Sequence, residues 1–318
     1  MKIGFIGLGN VGGKLATSLV RSGHHLMVLD LNPDASQVLL DLGASPAASP
    51  KEIAQNCETI ITCLPSPSAS ADVMEAEDGI LSFLSPGTLW MEMSTTDEAE
   101  VKRISRLVAN KSGSSLDCPV SGGCHRAATG NISIFVGGAR VDFDRAFPLL
   151  QSMGRNILHT GSLGSASILK VVTNYLASVN LIALGEALMT THCAGIDLGV
   201  AYDAIRISSG NSFVHETESQ LILNGSRNIN FTLDLVVKDM GLFEAVAEKS
   251  GVPLEIAPIL SNIFKDGALR YGGREWSSNI VRRLEDACGV KLRASGFPSE
   301  IIDSEDEMIG VEISGSRD

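Results

Sequence analysis

The chain has 318 residues, of which 44% are hydrophobic and 19% charged. That length predicts two domains rather than one core, and the composition is that of a globular protein, not a disordered one. A formal net charge of -12 at pH 7 offers no basic face and argues against nucleic acid or an anionic membrane surface as a partner.

The six cysteines (Cys57, Cys63, Cys118, Cys124, Cys193 and Cys288) make no C-x-x-C pair and no disulfide-like cluster, so they read as reduced thiols. Glycines break the apolar start "MKIGFIGLG" too early for a leader peptide. No uninterrupted apolar run reaches the roughly 18 residues of a membrane span. A cytoplasmic protein is expected.

In chain order, "KIGFI" (Lys2 to Ile6) is a buried strand, and "GLGNVGG" follows it directly. Val11, Leu15 and Leu19 then recur at helical spacing up to Arg21, and "LMVLD" is a second strand that ends in Asp30. The strand-like runs "TIITCLP", "TLWMEMS", "SLDCPV" and "ISIFVGG" follow, with helical patterns between most of them. Such alternation predicts an α/β fold, a doubly wound parallel sheet of the Rossmann type.

The glycines stand where a dinucleotide needs them, between a strand and a helix. Gly7 permits the tight turn, Gly9 lets a pyrophosphate approach the backbone, and Gly12 lets helix and strand pack closely. Asp30, at the end of the second strand, is placed to bind the adenosine ribose hydroxyls. Its charge would repel a 2′-phosphate, and "LNP" after it offers no arginine, so NAD is favoured over NADP as cofactor.

After "HTGSLGS" the pattern becomes helical. A long segment from Ala166 to Gly195 contains no proline, and further helices are expected over Val200–Ile207, Leu233–Ser250, Leu254–Gly267 and near Ser278–Ala287. The domains are therefore read as 1–162, the dinucleotide-binding sheet, and 163–292, an all-helical domain for substrate and oligomerisation. A long apolar helix of this kind predicts a homodimer or homotetramer. Residues 293–318 form a tail, with seven acids from Glu300 to Asp318 against Arg317 alone. A solvated, mobile tail is expected. The alternative is docking on a neighbouring subunit through its interspersed isoleucines.

Within the long helix, Lys170 and Asn174 lie one turn apart and share a face; a snorkelling surface lysine is the bland alternative. In "DCPVSGGCHRAATG" the run Ser121, Gly122, Gly123 is either an ordinary turn or a row of backbone N–H groups bared for an anion. The six histidines are scattered and suggest no metal site.

Four ordered motifs carry a resemblance: "FIGLGNVG" with "DLNP", "DCPVSGG…TGNISIFVGG", "GSLGSASILKVVTN" and "FTLDLVVKDMGLFEAVAEKSGVP". From Met1 to about Leu292 the chain resembles the β-hydroxyacid dehydrogenases, the family of 3-hydroxyisobutyrate dehydrogenase. The resemblance implies hydride transfer between NAD and a small 3-hydroxy acid or its semialdehyde, without a metal. It makes Lys170 the general acid/base with Asn174 beside it, Ser121–Gly122–Gly123 the site of the substrate carboxylate, and Lys238 a neighbour of nicotinamide and substrate. A desolvated Lys170 near a second cation, Lys238, would have the lowered pKa this role needs. The cofactor contacts then expected are Gly7, Gly9, Asn10, Val11, Gly12, Asp30, Leu31, Leu64, Pro65, Thr95 and Lys238.

Three positions depart from the family pattern: Val11 replaces a methionine, Ala166 a glycine and Thr173 an asparagine. Arg126 stands where the family usually has glycine. Pointing inward, it would bind a second anionic group of a larger substrate; pointing outward, it would meet a surface acid. Two other functions compete with this reading: an imine reductase, whose family typically lacks the lysine, and a non-catalytic dinucleotide sensor, which would not need Lys170, Asn174 and Ser121–Gly123 together.

Overall fold

The computed structural model describes residues 2–313, so Met1 and the end of the acidic tail, residues 314–318, lie outside the described residues. The chain makes two compact units. One runs to Lys170 and includes the described residues from Asp303 to Ile313; Val171–Ile302 forms the other. The break expected at residue 162 therefore falls later, inside the long helix Ser165–Cys193.

The first unit is built on strands β1 (Ile3–Ile6), β2 (Leu26–Leu29), β3 (Ser45–Pro46), β4 (Thr59–Thr62), β5 (Leu89–Glu92), β6 (Ser114–Asp117), β7 (Val120–Ser121), β8 (Ser133–Gly137), β9 (Asn156–Gly161) and β10 (Val311–Glu312). They lie in the order β10-β9-β8-β6-β5-β4-β1-β2-β3, with β7 on β8. Pairing is parallel from β3 across to β6, and antiparallel where β8 meets β6 and β7. The strand order reverses at β1, between β2 and β4. In a doubly wound sheet that reversal opens a crevice at the carboxyl ends of the strands.

Both faces of the sheet are covered. Ile3 and Phe5 of β1 pack with Leu15 and Leu19 of the helix Gly12–Arg21, while Ile6, Ile60 and Trp90 pack with Ile53, Val101 and Ile104 on the other side. Double burial explains why β1, β4 and β5 read as nearly continuous apolar runs. The indole N–H of Trp90 donates to Thr62 Oγ1 at 2.9 Å, so this buried ring leaves no orphan donor.

The tail is not free. Its end adds β10 to the sheet edge, in parallel register with β9 (Val311 with Asn156, Glu312 with Ile157). Ile302, Ile309 and Ile313 of this segment are exposed on the chain. Acids hold the tail on the first unit: Glu305 pairs with Arg126 and Arg155, Glu307 with Arg21, and Glu312 with Arg140. Opposite charge supplied by the chain's own first unit decides the outcome, and those arginines are remote in sequence.

The long helix has 29 residues, about 44 Å at roughly 1.5 Å per residue. It is long and apolar enough by length and composition to cross a membrane, a test that core helices of soluble proteins also pass. Its Leu181, Leu184 and Leu188 enter the second unit's core with Ile222, Val236 and Phe264. The helix Phe213–Asn224 was not expected from sequence. It buries His215, Thr217 and Ser219 as well as Val214, Leu221, Ile222 and Leu223, which erases the apolar period. Its ends are locally coded: the Ser212 side chain accepts from His215 N, and Gly225 closes it in the left-handed conformation.

Near the end of the second unit, Glu285 (2% exposed) accepts two hydrogen bonds from Arg227 Nη2 (4% exposed) at 2.7 and 2.8 Å, and one from Leu292 N at 2.9 Å. Burial pushes the Glu285 carboxyl up, but the hydrogen bonds and the charges of Arg227 and Lys291 outweigh it and hold the pKa below the ordinary range. A depressed folded-state pKa contributes stability above the unfolded value, and that contribution is lost as pH falls through the folded one. Glu285→Ala, which leaves Arg227 buried and uncompensated, is expected to cost about 3–5 kcal/mol in urea unfolding at neutral pH. The deficit relative to the unmutated chain should shrink in acid.

Candidate active site

At the carboxyl ends of β1, β2, β4 and β5 the first unit gathers the glycine loop and its neighbours. Gly7 has φ +94, and a Cβ there would collide with the Cys63 carbonyl. At Gly12 a Cβ would strike the Gly7 carbonyl, whereas at Gly9 it would meet nothing within 4 Å. Two glycines are thus needed for packing and the third faces open space, as a loop that admits a pyrophosphate requires. The helix Gly12–Arg21 has no acid in its first turn and no side-chain cap at Val11, so its dipole and N-terminal N–H groups remain available to an anion.

Asp30 is tied to this loop. Its Oδ2 accepts from Leu8 N at 2.6 Å and its Oδ1 from Asn32 N at 2.8 Å. Leu31 beside it is fully exposed, as are Asn10 and Pro65 to a lesser degree. Leu64 N donates to Ser94 Oγ at 2.7 Å, Ser94 N donates to Glu92 Oε1 at 2.9 Å, and Ser94 Oγ donates to the same oxygen. Burial pushes the Glu92 carboxyl up against the pull of these bonds. The chain Glu92–Ser94–Leu64 fixes the loop after β4 relative to Thr95, which follows Ser94 and is half-buried. Cys63 is pushed up to about 12 by burial first and Glu92 second, so it remains a thiol. Glu92 and Ser94 were missed in the sequence, although "EMST" contains both.

Four residues beyond β6, the chain turns through Ser121, Gly122 and Gly123. Gly122 has φ +127 and Gly123 φ +85, conformations that side chains disfavour. Ser121 and Gly122 are half-buried and Gly123 is exposed. The Arg126 stem lies against Gly122, where a Cβ would stand 3.2 Å from Arg126 Cδ, and the His125 ring lies against Gly123. Arg126 itself pairs with Glu305 at 3.1 Å. Of the two arrangements expected for Arg126, the pairing with an acid is the one seen: its charge is answered by the chain's own tail. His125 is lowered by burial and then by Arg126, against the opposite pull of Asp303.

The residue that organises this region was also missed. Asp117, at the end of β6 and fully buried, accepts from Gly164 N at 2.8 Å, Ser167 N at 2.7 Å and Ser167 Oγ at 2.9 Å. A carboxylate at a helix start satisfies free N–H groups and opposes the dipole. Gly137, its cross-strand partner, leaves room for it, since a Cβ there would collide with Asp117 Oδ1. The anchored helix presents Lys170 one turn after Ser167; Lys170 is 8% exposed and hence no snorkelling surface residue.

In the second unit, Asp239 joins two predicted residues. Asn174 Nδ2 donates to its Oδ2 at 2.6 Å, and Lys238 Nζ lies 2.9 Å from its Oδ1. Lys238 is thus not a bare cation. Among the described residues no group of three or more His, Cys, Asp or Glu side chains could hold a metal ion.

The chain matches two family models in succession: the NAD binding domain of 6-phosphogluconate dehydrogenase over residues 2–161, and the NAD-binding domain of NADP-dependent 3-hydroxyisobutyrate dehydrogenase over residues 164–284. It is 34% identical to a probable mitochondrial 3-hydroxyisobutyrate dehydrogenase of Dictyostelium discoideum, over 79% of this chain and 81% of that protein. It is 30% identical to the 2-(hydroxymethyl)glutarate dehydrogenase of Eubacterium barkeri, over 92% and 97%. The crystal structure of a 3-hydroxyisobutyrate dehydrogenase from Salmonella typhimurium superposes with a TM-score of 0.82 at 30% identity, covering 89% of this chain and 99% of that one.

Removing the Asp117 carboxylate strands two backbone donors and one hydroxyl in a buried place. Asp117→Ala is expected to lower unfolding free energy by at least about 2 kcal/mol in urea titration. Gly137→Ala, which pushes on the same oxygen, should destabilise in the same sense.

Proposed function

Because the chain belongs to the β-hydroxyacid dehydrogenase family, we propose that it oxidises a small 3-hydroxy acid with NAD, independently of metal, with Lys170 as general acid/base. That it is an NAD(P)-dependent oxidoreductase follows from the family. The observation that carries the finer reading is the placing of Lys170, a buried lysine whose helix is pinned at its start by Asp117.

Gly7, Gly9, Asn10, Val11, Gly12, Asp30, Leu31, Leu64, Pro65 and Thr95 would hold the dinucleotide, with Lys238 near its nicotinamide end. When bound, the nicotinamide supplies the hydride acceptor. Ser121, Gly122 and Gly123 hold the substrate carboxylate in this reading, which orients the carbon bearing the hydroxyl. Lys170 then takes the hydroxyl proton as the hydride leaves, and returns it in the reverse direction. Burial of that lysine limits the water that could compete for the proton. Asn174, held by Asp239, is a polar partner one turn along the helix. A dimer or tetramer is proposed as well, supported by the exposed Leu176 and Leu169 on the long helix; light scattering tests it.

Lys170→Ala is expected to lower kcat by about 100-fold or more while the NADH dissociation constant stays within about threefold; near-normal turnover would remove Lys170 from the mechanism. Asp30 already spends its carboxylate on Leu8 and Asn32 backbone N–H groups, so Asp30→Ala should both weaken NAD and narrow the gap to NADP. Equal use of both cofactors by the unmutated chain would contradict the assignment of Asp30. Turnover should survive prolonged chelation; loss that a divalent ion restores would contradict metal independence.

A further inference from the structure

The tail crosses the region just beyond the Ser121–Gly123 turn and is fastened there by several independent contacts. Asp303 accepts hydrogen bonds from Thr129 Oγ1 and from Asn131 Nδ2, the latter at 2.8 Å, and the Glu305 carbonyl accepts from Asn131 Nδ2 at 3.0 Å. Burial pushes Asp303 up, yet these hydrogen bonds and Arg126 hold its carboxyl below the ordinary range. Farther along, Gln151 Nε2 donates to the Gly310 carbonyl at 2.8 Å, Val311 N to the Arg155 carbonyl at 2.8 Å and Ile313 N to the Ile157 carbonyl at 2.7 Å. Gly310 is required, since a Cβ would collide with the Gly154 carbonyl.

Between these fastenings sits Glu305. One carboxylate oxygen is 3.1 Å from Arg126 Nη2, and the other meets Arg155 Nη1. Arg126 is the cation whose stem lies on Gly122. A guanidinium in that position suits a second anionic group on a substrate whose first carboxylate sits on Ser121–Gly123. Glu305 occupies the same guanidinium from within the chain.

We propose that Glu305 is a specificity-determining residue: by engaging Arg126 beside Gly122, it withholds that cation from a second anionic group of the substrate and tunes the site to monoanionic hydroxy acids. The proposal rests on the reading of Ser121–Gly123 as the carboxylate site. Glu305 touches no substrate in it and acts through Arg126. The specificity of this site would then be written in a segment more than 170 residues away in sequence from the group it controls.

The test compares kcat/KM for 3-hydroxyisobutyrate with that for 2-(hydroxymethyl)succinate, which adds a second carboxylate, using the full chain with saturating NAD. Glu305→Gln should raise the dianion-to-monoanion ratio by about tenfold, the size of one partly screened charge-assisted contact. Glu305→Asp should keep the ratio of the unmutated chain, and adding Arg126→Gln to Glu305→Gln should erase the gain. Asp303 and the β10 contacts remain to hold the tail in the Gln variant, and an unchanged circular dichroism spectrum checks this. A ratio within twofold of the unmutated chain in Glu305→Gln overturns the proposal, and so does a gain that persists without Arg126. Failure of the unmutated chain to turn over either acid instead overturns the underlying reading of the site, and the proposal with it.

Discussion

The carboxylate of Asp117 lies where no solvent reaches it, so its charge must be answered by the donors at the start of the long helix. Gly164 N, Ser167 N and Ser167 Oγ converge on it. One end of this interaction is the last residue of β6, four residues before the Ser121 turn; the other is three residues before Lys170. A single ionic anchor therefore sets the two pieces of chain on which the proposed chemistry depends. Moving either relative to the other would leave a buried charge or a buried N–H without a partner, which costs more than most surface changes can recover.

The dinucleotide end follows a different rule, that of close backbone approach. Gly7 and Gly12 are crowded by carbonyls while Gly9 is open, so the loop is shaped by what it excludes. Asp30 and the Glu92–Ser94–Leu64 chain then hold the neighbouring loops by hydrogen bonds to backbone N–H groups. Polar side chains here act mainly on the protein's own backbone, which is how a crevice at strand ends keeps one shape.

Electrostatics explains the course of the tail. Its acids face Arg21, Arg126, Arg140 and Arg155, whereas its isoleucines face outward. Exposed ion pairs are individually weak. They suffice here because backbone pairing of β10 with β9 fixes the segment and limits the side-chain entropy each pair must overcome.

The local chemistry of the chain determined the alternation of strands and helices, the glycine turn, the acid at the end of β2 and the long lysine-bearing helix. Each is coded by neighbours in sequence: apolar period, glycine spacing, the absence of proline. The helix Phe213–Asn224 escaped because its polar residues are buried with its apolar ones, so no period survives. What only the tertiary structure decided is which distant charges meet. Asp117 finds Gly164 and Ser167, Asp239 joins Asn174 to Lys238, and Glu305 takes Arg126. Short range and strong dependence on burial make such pairings invisible along the chain, since nothing local distinguishes an aspartate that will cap a helix 47 residues away from one that will face water.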